Sequence, residues 1–131
     1  LETNGILLGN DQQYSRELAK HPFIHVRVSL KGCNEKEFTL LTGAKPEGFA
    51  LQIKALENLL QAGVSCHPAV MASFSKKESL KELTKRLRGI SPKLEEDLEI
   101  EELILYPSVE KRIEKFNLKY YSGYTPEGSR G

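Results

Sequence analysis

Residues 23–31 of this 131-residue chain hold its densest run of side chains able to do chemistry. His25, Arg27, Ser29 and Lys31 alternate with Ile24, Val26, Val28 and Leu30. That is the period of a β-strand, so an imidazole, a guanidinium, a hydroxyl and an ammonium share one face. A parallel strand covered on both sides is apolar on both. This one is not, so its polar face must meet water, a ligand or a polar lumen. Residues 64–72 form a second strand of similar asymmetry, in which His67 shares a face with Ser65, Ala69, Met71 and Ser73. A single strand histidine is more often structural than catalytic, and polar groups simply left in solvent are the plain alternative. Pro68 removes a backbone donor in mid-strand, which points to an edge position or a bulge where the neighbouring strand loses contact.

Other motifs carry less. Residues 43–48 are rich in Gly and Pro and lead into a helix, but lack the glycine spacing and Lys-Ser/Thr ending of a phosphate loop. Lys76, Lys77, Lys81, Lys85, Arg86 and Arg88 cluster along one helix, interrupted by Glu78 and Glu82 and without interleaved aromatics. Such a pattern is a solvated face rather than a nucleic-acid surface. The 19 basic and 18 acidic residues leave a net charge of +1, with no electrostatic pull toward nucleic acid, anionic membrane or acidic substrates. Two cysteines, Cys33 and Cys66, make neither a disulfide framework nor a zinc or iron–sulfur spacing. No apolar run reaches the length of about 18 residues that a membrane span needs, and no signal peptide is recognisable. A cytoplasmic protein with reduced thiols is the expectation.

The elements that must position these residues alternate between helix and strand, which predicts an α/β fold with a mostly parallel sheet. Asn10 is expected to cap a first helix running to about His21, with Tyr14 and Leu18 on its buried side. Pro22 blocks its continuation. Asn34 with Glu37 suits a short capped helix ending near Gly43. Phe49, Ile53, Leu56 and Leu60 form one stripe of a helix over 47–62, stopped by Gly63. Ser75 and Glu78 read as a capping box for a helix bearing Leu80, Leu83 and Leu87. Residues 91–98 are a short helix or loop, and 100–106 a third strand. Pro107 starts a last helix with Val109, Ile113 and Phe116 as its stripe, and residues 117–131 form a loose tail in which Tyr120, Tyr121 and Tyr124 could dock.

Thr3, Asn4 and Gly5 favour a sharp reversal, because Asn and Gly tolerate positive φ. Leu1 and Glu2 then end a strand whose body would lie upstream, so the chain is expected to be a piece of a larger protein. Glu2, Thr3, Asn4 and Gly5 at one strand end, Val28 to Lys31 at the next, and Leu41, Thr42 and Gly43 after a short helix occur in a compatible order, with Gly63 before the following strand. Together they resemble the C-terminal half of radical S-adenosylmethionine iron–sulfur proteins, most closely those related to pyruvate formate-lyase activating enzyme. The resemblance spans roughly residues 1–110.

It implies the C-terminal portion of a partial (β/α) barrel over residues 1–116, with the cofactor at the carboxyl ends of the strands. Glu2, Thr3 and Asn4 would line the S-adenosylmethionine site. The family's Asp-x-Lys looks like Ser29, Leu30 and Lys31 here, so Lys31 matches and Ser29 stands in place of the acid. His67 occupies a position where relatives carry a cofactor-facing Arg. No catalytic or metal-ligating residue is implied in this chain. The family holds its [4Fe–4S] cluster on a CxxxCxxC loop, absent here, and cleaves S-adenosylmethionine reductively to a 5′-deoxyadenosyl radical. An oxidoreductase activity would therefore belong to the intact parent, and this chain alone would be silent. Its partners would be the missing N-terminal half-barrel and further copies of itself, joined through exposed apolar surface or strand edges. The alternative is a free-standing, non-catalytic α/β interaction module with an open strand edge at residues 23–30.

Overall fold

A computed structural model of the chain describes residues 1–104, 123–125 and 128–130. Its centre is a four-stranded, all-parallel sheet in the order β1-β2-β3-β4, formed by β1 (Glu2–Thr3), β2 (His25–Leu30), β3 (Ser65–Met71) and β4 (Glu99–Glu101). Helices α1 (Ile6–Asn10) and α2 (Gln12–Leu18) connect β1 to β2. Helices α3 (Glu35–Thr42) and α4 (Glu47–Gln61) lead to β3, and α5 (Lys77–Ile90) and α6 (Pro92–Glu96) lead to β4. The fold is therefore α/β with parallel strands and helical crossovers, as alternation in the sequence requires. A second, small sheet joins β5 (Leu103–Ile104), β6 (Gly123–Thr125) and β7 (Gly128–Arg130). Among the described residues no helix is long and apolar enough to cross a membrane.

One face of the sheet is dry. Val26, Val28, Leu30, Cys66 and Val70 pack in one cluster with Phe38, Phe49, Leu56, Leu59, Leu83, Leu87 and Leu94 of the helices. The stripe expected on α4 is real, since Phe49, Ile53 and Leu56 are buried and Leu60 is partly so. Gly9 lets α1 lie directly on α4: a Cβ there would sit 1.9 Å from the Leu51 carbonyl oxygen. Asn34 caps α3 by accepting from the Glu37 N–H at 2.8 Å, and Gly43 closes it at φ 73°.

Several expectations are corrected. The first helix is two: Gly5, at φ 79°, starts α1 at once, and Asp11 in extended conformation separates it from α2. Asp11, not Asn10, caps α2, accepting from Gln13 N at 2.9 Å, and Tyr14 is exposed while Ser15 is buried. Ser75 does not cap α5; buried, it donates to Glu37 Oε1 at 2.6 Å, and Lys76 stands at the N-cap of α5 without a side-chain cap bond. β2 lies between β1 and β3, so an open edge at residues 23–30 does not exist, and Phe23 is an exposed loop residue. β3 is likewise interior despite Pro68. Ala72 N donates to Glu101 O, so alternate N–H groups of β3, including the one Pro68 lacks, face β4. The β4 ladder begins only at Ala69, directly after the proline, so no bond is lost. The third strand divides, 99–101 joining the main sheet and 103–104 the small one. Residues 105–116, including the helix expected from Pro107, lie outside the described residues. Of the segment expected to be a loose tail, 123–125 and 128–130 are described, as β6 and β7.

One buried polar side chain sets where two strands end. Gln52 of α4, fully buried, donates to the carbonyls of Asn4 at 2.7 Å and Ser29 at 2.8 Å, and accepts from Lys31 N at 3.1 Å. These backbone groups lie where the chain leaves β1 and β2 and has no ladder partner. Gln52→Leu keeps the volume but strands all of them, and the expected loss is about 3 kcal/mol in chemical denaturation at unchanged m-value.

Candidate functional site

The second face of the main sheet is polar and no helix of the described residues covers it. Register puts Glu2 beside Arg27, Arg27 beside His67, and His25 beside Ser65. Glu99 and Glu101 join the same face beside Ala69 and Met71. Arg27 is its hub. Its Nη1 lies 2.8 Å from Glu2 Oε1, and its Nη2 lies 2.5 Å from Glu99 Oε2 and also contacts Glu101 Oε1. Arg27 Nε donates to Glu99 Oε2 at 3.1 Å, and Ser29 Oγ donates to Glu2 Oε1 at 2.9 Å. The guanidinium therefore bridges both edge strands to β2. It holds the Glu99 carboxyl below the usual carboxylate range, chiefly by hydrogen bonding, and the carboxylates raise Arg27 in turn.

Histidines extend the cluster. His67 Nε2 lies 3.3 Å from Glu99 Oε1, while its Nδ1 meets His25 Nε2 at 2.6 Å. His25 Nδ1 lies 2.6 Å from Ser65 Oγ.

Of the residues expected at a cofactor site, Glu2, Ser29 and His67 gather around Arg27. Lys31 follows β2 directly and is exposed, and among the described residues its ammonium has no ion-pair partner. Thr3 and Asn4 are placed differently. Thr3 pairs with Val28, on the helix-side face, and its Oγ1 accepts from Gly5 N at 3.1 Å. Asn4 Oδ1 accepts from Ile6 N at 3.0 Å. Both side chains are committed to the turn they form. Reading by residue type missed the Glu99 and Glu101 pair, although their alternation around Ile100 was a usable signal. It also missed Gln52, whose position on the apolar side of α4 was the only hint.

The thiols do not fit an iron–sulfur ligand set. Cys66 alternates with His67 and so lies on the helix side, in the core. Cys33, after β2, is buried with its Sγ 3.3 Å from Ser75 Oγ. Burial pushes each thiol up to about 11, which keeps it protonated at neutral pH. Among the described residues no group of three or more His, Cys, Asp or Glu is arranged to hold a metal ion. What the polar face offers instead is three carboxylates around one guanidinium, an excess of negative charge that suits a cationic ligand.

The Arg27 cluster makes stability depend on pH in a definite direction. Because the folded Glu99 pKa is lowered, the unfolded chain binds more protons in the carboxylate range. The contribution is present above the unfolded value and disappears as pH falls through the folded one. Arg27→Gln leaves Glu2, Glu99 and Glu101 facing one another and is expected to lower the thermal midpoint at pH 7. The gap to the parent chain should narrow as pH falls through and below the carboxylate range, where Glu99 of the parent takes up a proton and no longer gains from Arg27. Parallel thermal melts across that range measure it.

Compared with protein-family models, with curated proteins and with solved structures, the chain matches none.

Proposed function

We propose that this chain is the C-terminal part of a radical S-adenosylmethionine iron–sulfur protein similar to glycyl-radical-enzyme activating enzymes. In that reading its polar sheet face is one wall of the cofactor site. The observation that carries it is the contact between Glu2 and Ser29. They come from two separate motifs of the resemblance, and the parallel sheet brings them to 2.9 Å on one face, with Lys31 following at the end of β2. A carboxyl-end position on parallel strands is where α/β folds bind ligands. The charge also suits the ligand, since S-adenosylmethionine carries a sulfonium and an ammonium against one carboxylate. Glu2 would face the cationic part and Lys31 the carboxylate, while His67 would bound the site through Glu99. Thr3 and Asn4 contribute by shaping the turn that presents Glu2. The CxxxCxxC loop that would hold the cluster is absent from this chain, so the radical chemistry belongs to the longer protein, and the polar face would bind and orient.

The test is expression of the longer reading frame, anaerobic iron–sulfur reconstitution, and assay of 5′-deoxyadenosine. Cluster absorbance with 5′-deoxyadenosine formation is expected. Glu2→Ala should weaken S-adenosylmethionine binding roughly tenfold with the cluster retained. A longer protein that takes up no cluster overturns the reading.

The same reading accounts for apolar side chains left open at the sheet edges. Leu1 and Leu7 are each 66% exposed beside β1, and Ile100 is 50% exposed on β4. In the isolated chain these should drive association. Sedimentation at micromolar concentration is expected to show a dimer or larger species, and a stable monomer counts against the proposal.

A further inference from the structure

Ser65, His25, His67 and Glu99 make an unbroken polar row across β2, β3 and β4, at separations of 2.6, 2.6 and 3.3 Å. The two imidazoles meet edge to edge. Their planes differ by 20° and their centroids are 4.9 Å apart, which the 2.6 Å N···N gap plus a ring radius on either side accounts for. The contact is thus an in-plane N–H···N hydrogen bond and not a face-on stack.

For two neutral imidazoles, the form in which His25 can act as a base, the direction of every bond in the row follows from its far end. Arg27 keeps Glu99 ionised, so Glu99 can only accept. His67 Nε2 must then carry the hydrogen, which leaves Nδ1 of the neutral ring as an acceptor. His25 Nε2 donates to it, and His25 Nδ1 is left as a lone pair 2.6 Å from Ser65 Oγ. The serine hydroxyl therefore points its proton at an imidazole backed by a second imidazole and a carboxylate, with Arg27, Glu2 and Glu101 as the nearby charges on this face and Lys31 at its far end. A base behind a hydroxyl, oriented by a third group, is the arrangement that activates a nucleophile.

We propose that Ser65 and His25 are a nucleophile–base couple able to take an acyl group from an activated ester, with His67 and Glu99 as positioning residues. Both members of the couple are exposed, so an ester can reach them. They are the first residues of β3 and β2, at the opposite strand ends from Lys31 and the Gly5 turn, so the couple does not depend on the cofactor reading. In the step, Ser65 Oγ forms a bond to the ester carbonyl carbon while its proton passes to His25 Nδ1. The bond from that carbon to the leaving oxygen breaks, and the leaving group departs with the electron pair.

The experiment treats the full chain with p-nitrophenyl acetate and maps the acetyl group by mass spectrometry over time and pH. One acetyl on Ser65 is expected, absent in Ser65→Ala and formed about a hundredfold more slowly in His25→Gln. Glu99→Gln should move the midpoint of the rate–pH profile to lower pH, because the imidazolium loses its carboxylate; a merely structural role would change the rate and leave the midpoint. A through-hydrogen-bond nitrogen–nitrogen coupling between His25 and His67 in the unmodified chain reads the row directly. Acetylation confined to lysines or to the histidines, equal rates in His25→Gln, or no such coupling overturns the proposal.

Discussion

One guanidinium lets three carboxylates stand on a sheet face that no helix among the described residues covers. Arg27 sits on a central strand, and its partners sit on the two edges: Glu2 on β1, Glu99 and Glu101 on β4. The edge strands have only two and three residues, too few for backbone ladders alone to hold them firmly. Individually, half-exposed ion pairs contribute little to stability. Their value here is in register. A slip of β1 by one residue would turn Glu2 toward the core and bring Thr3 to the charged face. The polar arrangement on one side of the sheet therefore depends on Arg27 more than on any other single group.

The dry side supplies the complementary constraint. Gln52 reaches through the apolar cluster to the ends of β1 and β2, so the two strands stop at a fixed offset. Gly9 permits the close approach of α1 to α4 that seats that helix. Because α4 also carries Phe49, Ile53 and Leu56, the packing that buries the core is the packing that aims Gln52. Asn58 on the same helix donates to the Leu8 carbonyl at 2.8 Å, fixing α1 in the same way. Buried amides on one helix thus convert non-directional burial into a defined position for the strand ends.

Periodicity made the fold class legible, and with it the division of β2 into two faces. Val26, Val28 and Leu30 fall at strand spacing, and no other arrangement buries them together. The parts that were not legible depend on contacts between distant residues. His25 and His67 are 42 positions apart, and only the parallel register of β2 and β3 brings their rings into line. Ser75 next to a helix start looks like a cap, but Glu37 from another element claims its hydroxyl. Asn10 and Asp11 are both good caps, and the choice was made by Gly5 starting a helix one turn earlier than the apolar pattern suggested. Pro68 shows the same limit: its missing donor is harmless in an interior strand, because the neighbour begins one residue later.

Net charge was the least informative property of the sequence. A balance of +1 suggests a surface with no preference, yet the charges are segregated. The polar sheet face carries Glu2, Glu99 and Glu101 against Arg27, while α5 carries Lys77, Lys81 and Lys85. The two outermost arginines of that helix region are neutralised locally, Arg86 by Glu35 and Arg88 by Glu95. The field around Arg27 is therefore negative whatever the chain average, since it is set by groups within about one Debye length, ~8–10 Å. That local excess of negative charge follows from the placement of four side chains and not from composition.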